Sequence, residues 1–96
     1  SLGDYSRAIQ LLEQALDSDL RNFGPKHPEI ATRKNNLALV YDSQNDLNKA
    51  EQYWLEALDI LNINFGKEHP YYKMINQYLE DLRQKRNSQF ESDGRR

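Results

Sequence analysis

The sequence predicts an all-α protein of antiparallel helix-turn-helix repeats, about four helices in all. Three observations carry that prediction. Residues 3–44 return, degraded but readable, as residues 45–86 at a single offset of 42. Within each copy the apolar residues step by threes and fours, the spacing of one face of a helix. Glycine and proline then punctuate both copies at matching places: Asn22-Phe23-Gly24-Pro25-Lys26-His27-Pro28 becomes Asn64-Phe65-Gly66-Lys67-Glu68-His69-Pro70. No useful length alternates with a period of two, so no strand is assigned.

The first helix, about 5–22, carries Ala8, Ile9, Leu12, Ala15, Leu16 and Leu20 on one face. Asp4 stands at its N-cap, where a carboxylate accepts a free backbone N–H and meets the positive end of the helix dipole. Gly24 follows where a left-handed residue closes a helix, a conformation open cheaply only to a residue without Cβ. Pro28 opens a second helix, about 28–43, because a first-turn N–H has no intrahelical partner to lose. Asn45 and Asp46 supply a turn and then a cap. The third helix, about 47–64, holds Leu47, Ala50, Tyr53, Trp54, Ala57, Leu58 and Leu61. Gly66 closes it and Pro70 opens a fourth, about 70–86, with Met74, Ile75, Tyr78, Leu79 and Leu82. Residues 1–86 thus form one helical repeat domain. Residues 87–96 are polar, broken by Gly94, and read as a frayed or disordered tail.

Composition narrows the function. The chain has 96 residues and no cysteine, so a disulfide framework and a thiolate metal site are both excluded. No apolar run approaches the roughly 20 residues that span a bilayer, and no basic-then-apolar signal pattern opens the chain. Cytoplasmic residence is the expectation. Net charge is −2, with the basic excess confined to the last two dozen residues. Nucleic-acid binding rests on a dense basic footprint, so it is unlikely as the main function. Two copies are fewer than the three that repeat stacks usually need, which points to a piece of a longer array or to a dimer.

Leu37-Ala38, Tyr41, Asn45, Leu47, Ala50, Trp54 and Ala57-Leu58 resemble the tetratricopeptide repeat pattern of small and large residues across a helix pair. The period of 42, the Phe-Gly-x-x-His-Pro linker and Asn-Asn-Leu-Ala at 35–38 resemble its kinesin-light-chain type. Physically, Ala38, Ala50 and Ala57 are small where two helices cross at about 8–10 Å, and Tyr41 and Trp54 are large where the gap widens. Against that pattern the chain starts on the second helix of a repeat. Part of the stripe Ile9, Leu12 and Leu16 would then face solvent, a surface that usually finds a partner. Glu80 and Arg83 stand where the preceding copy has Ala38 and Tyr41, which suits a last helix facing water.

The resemblance implies a concave groove lined by the second and fourth helices. Its peptide-binding positions would be Thr32, Asn35, Asn36, Leu39, Met74, Gln77, Tyr78, Asp81 and Lys85. Two asparagines together in mid-helix need a reason, since asparagine is a mediocre helix former. Their amides donate and accept, which suits the main chain of an extended peptide; alternatively one of them bonds a neighbouring helix. For these residues the expectation leaves both readings open for Asn36 and turns Asn35 toward solvent or ligand. An acidic ligand would find few cations there: Lys85, with Arg33 and Lys73 at the edges.

His27 and His69 recur in the two linkers, and stacked repeats hold such positions roughly 10 Å apart, too far for one metal centre. They read as linker and helix-start residues. Serines without a histidine–carboxylate partner and the lack of a glycine-rich phosphate loop argue against an enzyme and against a cofactor. Asp17 with Arg21 and Asp81 with Lys85 have the spacing of surface ion pairs. The basic cluster Arg83, Lys85, Arg86, with Arg95 and Arg96, suits the C-terminal end of a helix dipole. Tyr71 and Tyr72 pack beside a helix start. The expected function is a protein–protein interaction module, an adaptor or scaffold for a protein or peptide partner. The other reading is a structural cap, or a segment that self-associates into a homo-oligomer through the unpaired first helix.

Overall fold

Four helices make up the computed structural model, which describes residues 2–94: α1 Leu2–Phe23, α2 Pro28–Ser43, α3 Leu47–Phe65 and α4 Pro70–Gly94. No strand occurs among the described residues. Each boundary follows from a local cause. Gly24 and Gly66 hold φ of 82° and 88°, the left-handed region anticipated for them. The Gly24 N–H returns to the Leu20 carbonyl at 3.0 Å and that of Gly66 to Asn62 at 3.1 Å, so both helix ends spend free carbonyls on the turn. Between α2 and α3, Asn45 takes φ 64°, a conformation asparagine tolerates better than most residues. Asp46 then caps α3, accepting the Lys49 N–H at 3.3 Å.

Both histidines cap helices. His27 Nδ1 accepts the Glu29 N–H at 3.0 Å at the start of α2, and His69 Nδ1 accepts the Tyr71 N–H at 3.1 Å at the start of α4. Each ring also stacks on the phenylalanine that ends the preceding helix, Phe23 or Phe65, with centroids 4.5 Å apart. The repeated linker is therefore a capping device.

Side-chain pairs fix the directions of the helices. Along α2 from Tyr41 to Arg33, the α1 partner rises from Glu13 to Asp19, so α1 and α2 are antiparallel. Lys34 with Glu56 and Asn35 with Trp54 set the same relation for α2 and α3, as Arg86 with Glu51 and Tyr78 with Trp54 do for α4 and α3. Thr32 with Tyr71 and Asp42 with Lys85 then show α2 and α4 running parallel, side by side. The result is a slab 16 Å in its thinnest direction, the depth of two helix layers.

The core lies where α2 crosses α3 and where α3 meets α4. Ala38, Ala50 and Ala57 are completely buried, and Trp54 and Tyr41 point inward, as the alternation of volumes requires. Ile75, Leu79 and Leu82 close the core from α4. On α1 the stripe Ile9, Leu12 and Leu16 is only partly buried against the core, so part of it faces solvent as expected, and Leu11, Leu20 and Phe23 are exposed beside it, Leu11 most of all at 58%.

One correction concerns the tail. Helix α4 continues eight residues past Arg86, to Gly94, because nothing before that glycine breaks it and two side chains hold it down. Arg86 Nη1 donates to Glu51 at 2.9 Å and its Nη2 to the Leu47 carbonyl at 3.3 Å, while Gln89 donates to Asn45 Oδ1 at 3.3 Å. Those contacts fasten α4 to the α2–α3 turn. Arg95 and Arg96 lie outside the described residues.

Two predictions follow from this packing. Ala50→Leu overfills the α2–α3 crossing and should lower stability by about 1–3 kcal/mol, read as a drop in melting temperature; an unchanged melt would remove Ala50 from the crossing. Burial first, then the Glu13 carboxylate, raises the Tyr41 phenol above its usual 10, and burial, Glu13 and Glu56 do the same for Tyr53. Because the folded values are the higher ones, this contribution is complete below pH about 10 and is lost as pH rises through the folded values. Denaturant midpoints should therefore fall on going from pH 9 to 11.5, less steeply in Tyr41→Phe.

Candidate functional site

The parallel pair α2 and α4 lies side by side in front of α3, and the strip between them is where the resemblance puts the candidate groove. One side chain behind it touches both walls: Trp54 donates its Nε1–H to Asn35 Oδ1 at 2.9 Å on α2, and its ring lies 5.6 Å from that of Tyr78 on α4. Trp54 is 2% exposed, so this bond is made away from water, where an unmet indole N–H is costly. The groove walls therefore take their spacing from a buried, hydrogen-bonded residue.

Asn35 is consequently buried with its amide already engaged. It is 6% exposed, with its oxygen taken by Trp54 and its Nδ2 reaching the Tyr71 hydroxyl at 3.5 Å. The expectation that it faces solvent or a ligand is corrected: of the two asparagines, Asn35 is the one that bonds a neighbouring helix. The signal was available, because Asn35 lies between Ala31 and Ala38 on the face turned to α3, four residues from one and three from the other. Asn36, next in the chain, is turned away and only half-buried.

The other anticipated positions divide into apolar and charged. Leu39 on α2 is 38% exposed and Met74 on α4 is 40% exposed, so both leave apolar surface in solvent, while Tyr78 on α4 is half-buried. Thr32 stands at one end, its hydroxyl 3.5 Å from the Tyr71 phenol. Lys85 does not pair with Asp81 as its helical spacing suggested. It crosses to Asp42 at 2.9 Å, while Asp81 accepts the Gln77 amide at 2.9 Å. The Asp17–Arg21 pair does form, at 3.2 Å, fully on the surface.

Arg33, Lys73 and Arg83 are paired as well. Arg33 turns to Asp19 on α1 at 3.0 Å, Lys73 to Glu68 at 3.3 Å, and Arg83 to Glu51 at 3.6 Å and Glu80 at 3.8 Å. Of the basic cluster, Arg83, Lys85 and Arg86 thus spend their charge within the fold. Tyr71 and Tyr72 are half-buried against the core beside the start of α4. A separate open cleft of about 500 Å³ lies between the α1–α2 linker and α3, lined by Pro25, Lys26, Lys34, Leu55, Ile60 and Ile63 among others.

The two asparagines make a direct comparison. Asn35→Ala leaves the buried Trp54 N–H without its acceptor and should cost about 1–3 kcal/mol in chemical denaturation. Asn36→Ala should stay within about 0.5 kcal/mol of the parent. Equal losses in the two variants would contradict the assignment of the buried bond to Asn35.

The geometry agrees with what this chain is similar to. The human Clustered mitochondria protein homolog is 30% identical over 81 residues, and its Danio rerio counterpart 28% identical over 81 residues. In both cases the match covers 84% of this chain and 6% of the relative, so the chain spans a small fraction of their length. The family model for the tetratricopeptide repeat matches residues 1–63, which takes in α1, α2 and most of α3. The chain is therefore a member of the tetratricopeptide repeat family.

Proposed function

We propose that this segment is a non-catalytic adaptor whose groove between α2 and α4 docks an extended segment of another protein. Membership of a repeat family that serves protein–protein contact supports the general reading. The observation that carries the finer one is the apolar pair Leu39 and Met74, held in solvent on two walls whose spacing Trp54 sets from behind. A rigid surface of this kind loses little entropy on binding. Asn36, Gln77 and Thr32 offer polar groups to a peptide main chain, and Tyr78 adds to the apolar floor.

The period of 42 and the histidine-capped linker support a kinesin-light-chain-like scaffold subtype. The relatives carry clustered mitochondria in their name, and we infer that the segment serves a protein of that kind as one contact surface among others. No helix is long and apolar enough to cross a membrane among the described residues. Cytoplasmic action is our reading.

A second reading has its own observation. Ala8 and Ala15 on α1 are half-buried, whereas Ala50 and Ala57, one period later, are completely buried by α2. The α1 face with Leu11 is thus open to a further helix, including that of a second copy. Sedimentation at high concentration discriminates: self-association through α1 gives a dimer that Leu11→Glu dissociates, and a clean monomer rejects it.

For the groove, peptides selected from a random displayed library on the whole chain should shift the backbone amides of Asn36, Leu39, Met74 and Gln77 in NMR titrations. Leu39→Ser with Met74→Ser should weaken them at least about tenfold, roughly 1.4 kcal/mol, without lowering the melting temperature. Selected peptides that map to α1 or to the cleft beside Leu55 would overturn the assignment.

A further inference from the structure

We infer that the α2–α4 groove selects a segment carrying a bulky apolar residue with a lysine or arginine within about three positions of it, and discriminates against acidic segments. This rests on the groove reading above and specifies its ligand. The inference comes from the charges on the groove wall.

Every cation that an acidic ligand would need is already bound by a carboxylate of the chain. Lys85 is held by Asp42 across the groove at 2.9 Å, Arg33 by Asp19 at 3.0 Å and Lys73 by Glu68 at 3.3 Å. A ligand carboxylate at Lys85 would have to displace Asp42, which occupies the place such a group would take. Asp42 therefore acts as an internal competitor. Asp81 is in the opposite position: exposed on the groove side of α4, it receives the neutral Gln77 amide at 2.9 Å, and no cation stands within ion-pair distance of it among the described residues. With Asp42 and Lys85 cancelling, the groove keeps the negative charge of Asp81.

Spacing follows from helix geometry. Asp81 is seven residues beyond Met74 on α4, about 10 Å along the axis at 1.5 Å per residue. An extended chain covers that distance in about three residues. A side chain seated on Met74 and Leu39 thus brings a cation within three positions to Asp81, on the side nearer the C-terminal end of α4.

Sequencing the library peptides selected on the whole chain tests this. Peptides that depend on Leu39 and Met74 should be enriched in lysine or arginine within three positions of an aromatic or branched apolar residue. Replacing that cation by alanine should weaken binding about two- to fivefold, the range of an exposed pair, and the same factor should be absent in Asp81→Asn and in 1 M salt. In Asp42→Asn, which frees Lys85, glutamate versions should gain affinity relative to the parent. Groove-dependent peptides without basic enrichment, or with acidic enrichment, overturn the inference and leave the groove reading standing. If no selected peptide depends on Leu39 and Met74, the groove reading itself fails and this inference with it.

Discussion

The hydrogen bond from Trp54 to Asn35 organises this molecule, because a single buried side chain sets the positions of three helices. Trp54 sits on α3, bonds α2 and packs its ring on Tyr78 of α4. The bond is possible only because Ala38, Ala50 and Ala57 let the α2 and α3 backbones approach closely enough for an asparagine to reach an indole. A larger residue at the crossing would separate the helices and strand both polar groups. The small residues and the polar pair are thus one device, and buried polar groups of this type specify a register more sharply than apolar packing does.

That device leaves the front surface with little of its own polarity unspent. Lys85, Arg33, Lys73, Arg83 and Arg86 each find a carboxylate, mostly on another helix, and the exposed members of these pairs contribute at most about 1 kcal/mol apiece. Their effect on the surface potential is larger than their effect on stability. Arg83, Lys85 and Arg86, a basic run in the sequence, are matched by carboxylates in the fold, so the face between α2 and α4 is short of available cations.

Helix number and order, and the limits of α2 and α3, were legible because each depends on local chemistry: a glycine at φ near 85°, a proline in a first turn, an Asp46 cap, an apolar step of three and four; the start of α1 was not, since the helix begins at Leu2 and Asp4, expected as its N-cap, lies in its first turn. Three further features were not. The side chains of Asn35 and Lys85 could each turn to either of two neighbours, and the choice was made by helices far away in the chain, 19 residues off for Trp54 and 43 for Asp42. The extension of α4 past Arg86 likewise depends on Glu51 and Asn45, which no window around residues 87–94 contains. The capping use of His27 and His69 falls between: their recurrence marked them as structural, but the acceptor role of Nδ1 needed the backbone to be seen.

The groove is tied at both ends as well as from behind. At the start of α4 the Tyr71 hydroxyl meets Thr32 and Asn35, and toward its far end Lys85 and Gln89 meet Asp42 and Asn45. Two parallel helices linked at two levels cannot splay or slide without breaking contacts at one of them. The Asp42–Lys85 pair at the far end is partly exposed and screened by salt, whereas the buried Trp54 bond in the middle is not. Loosening should therefore begin at the α4 C-terminal end, where Asp42 and Lys85 meet, before it reaches the Trp54–Asn35 bond.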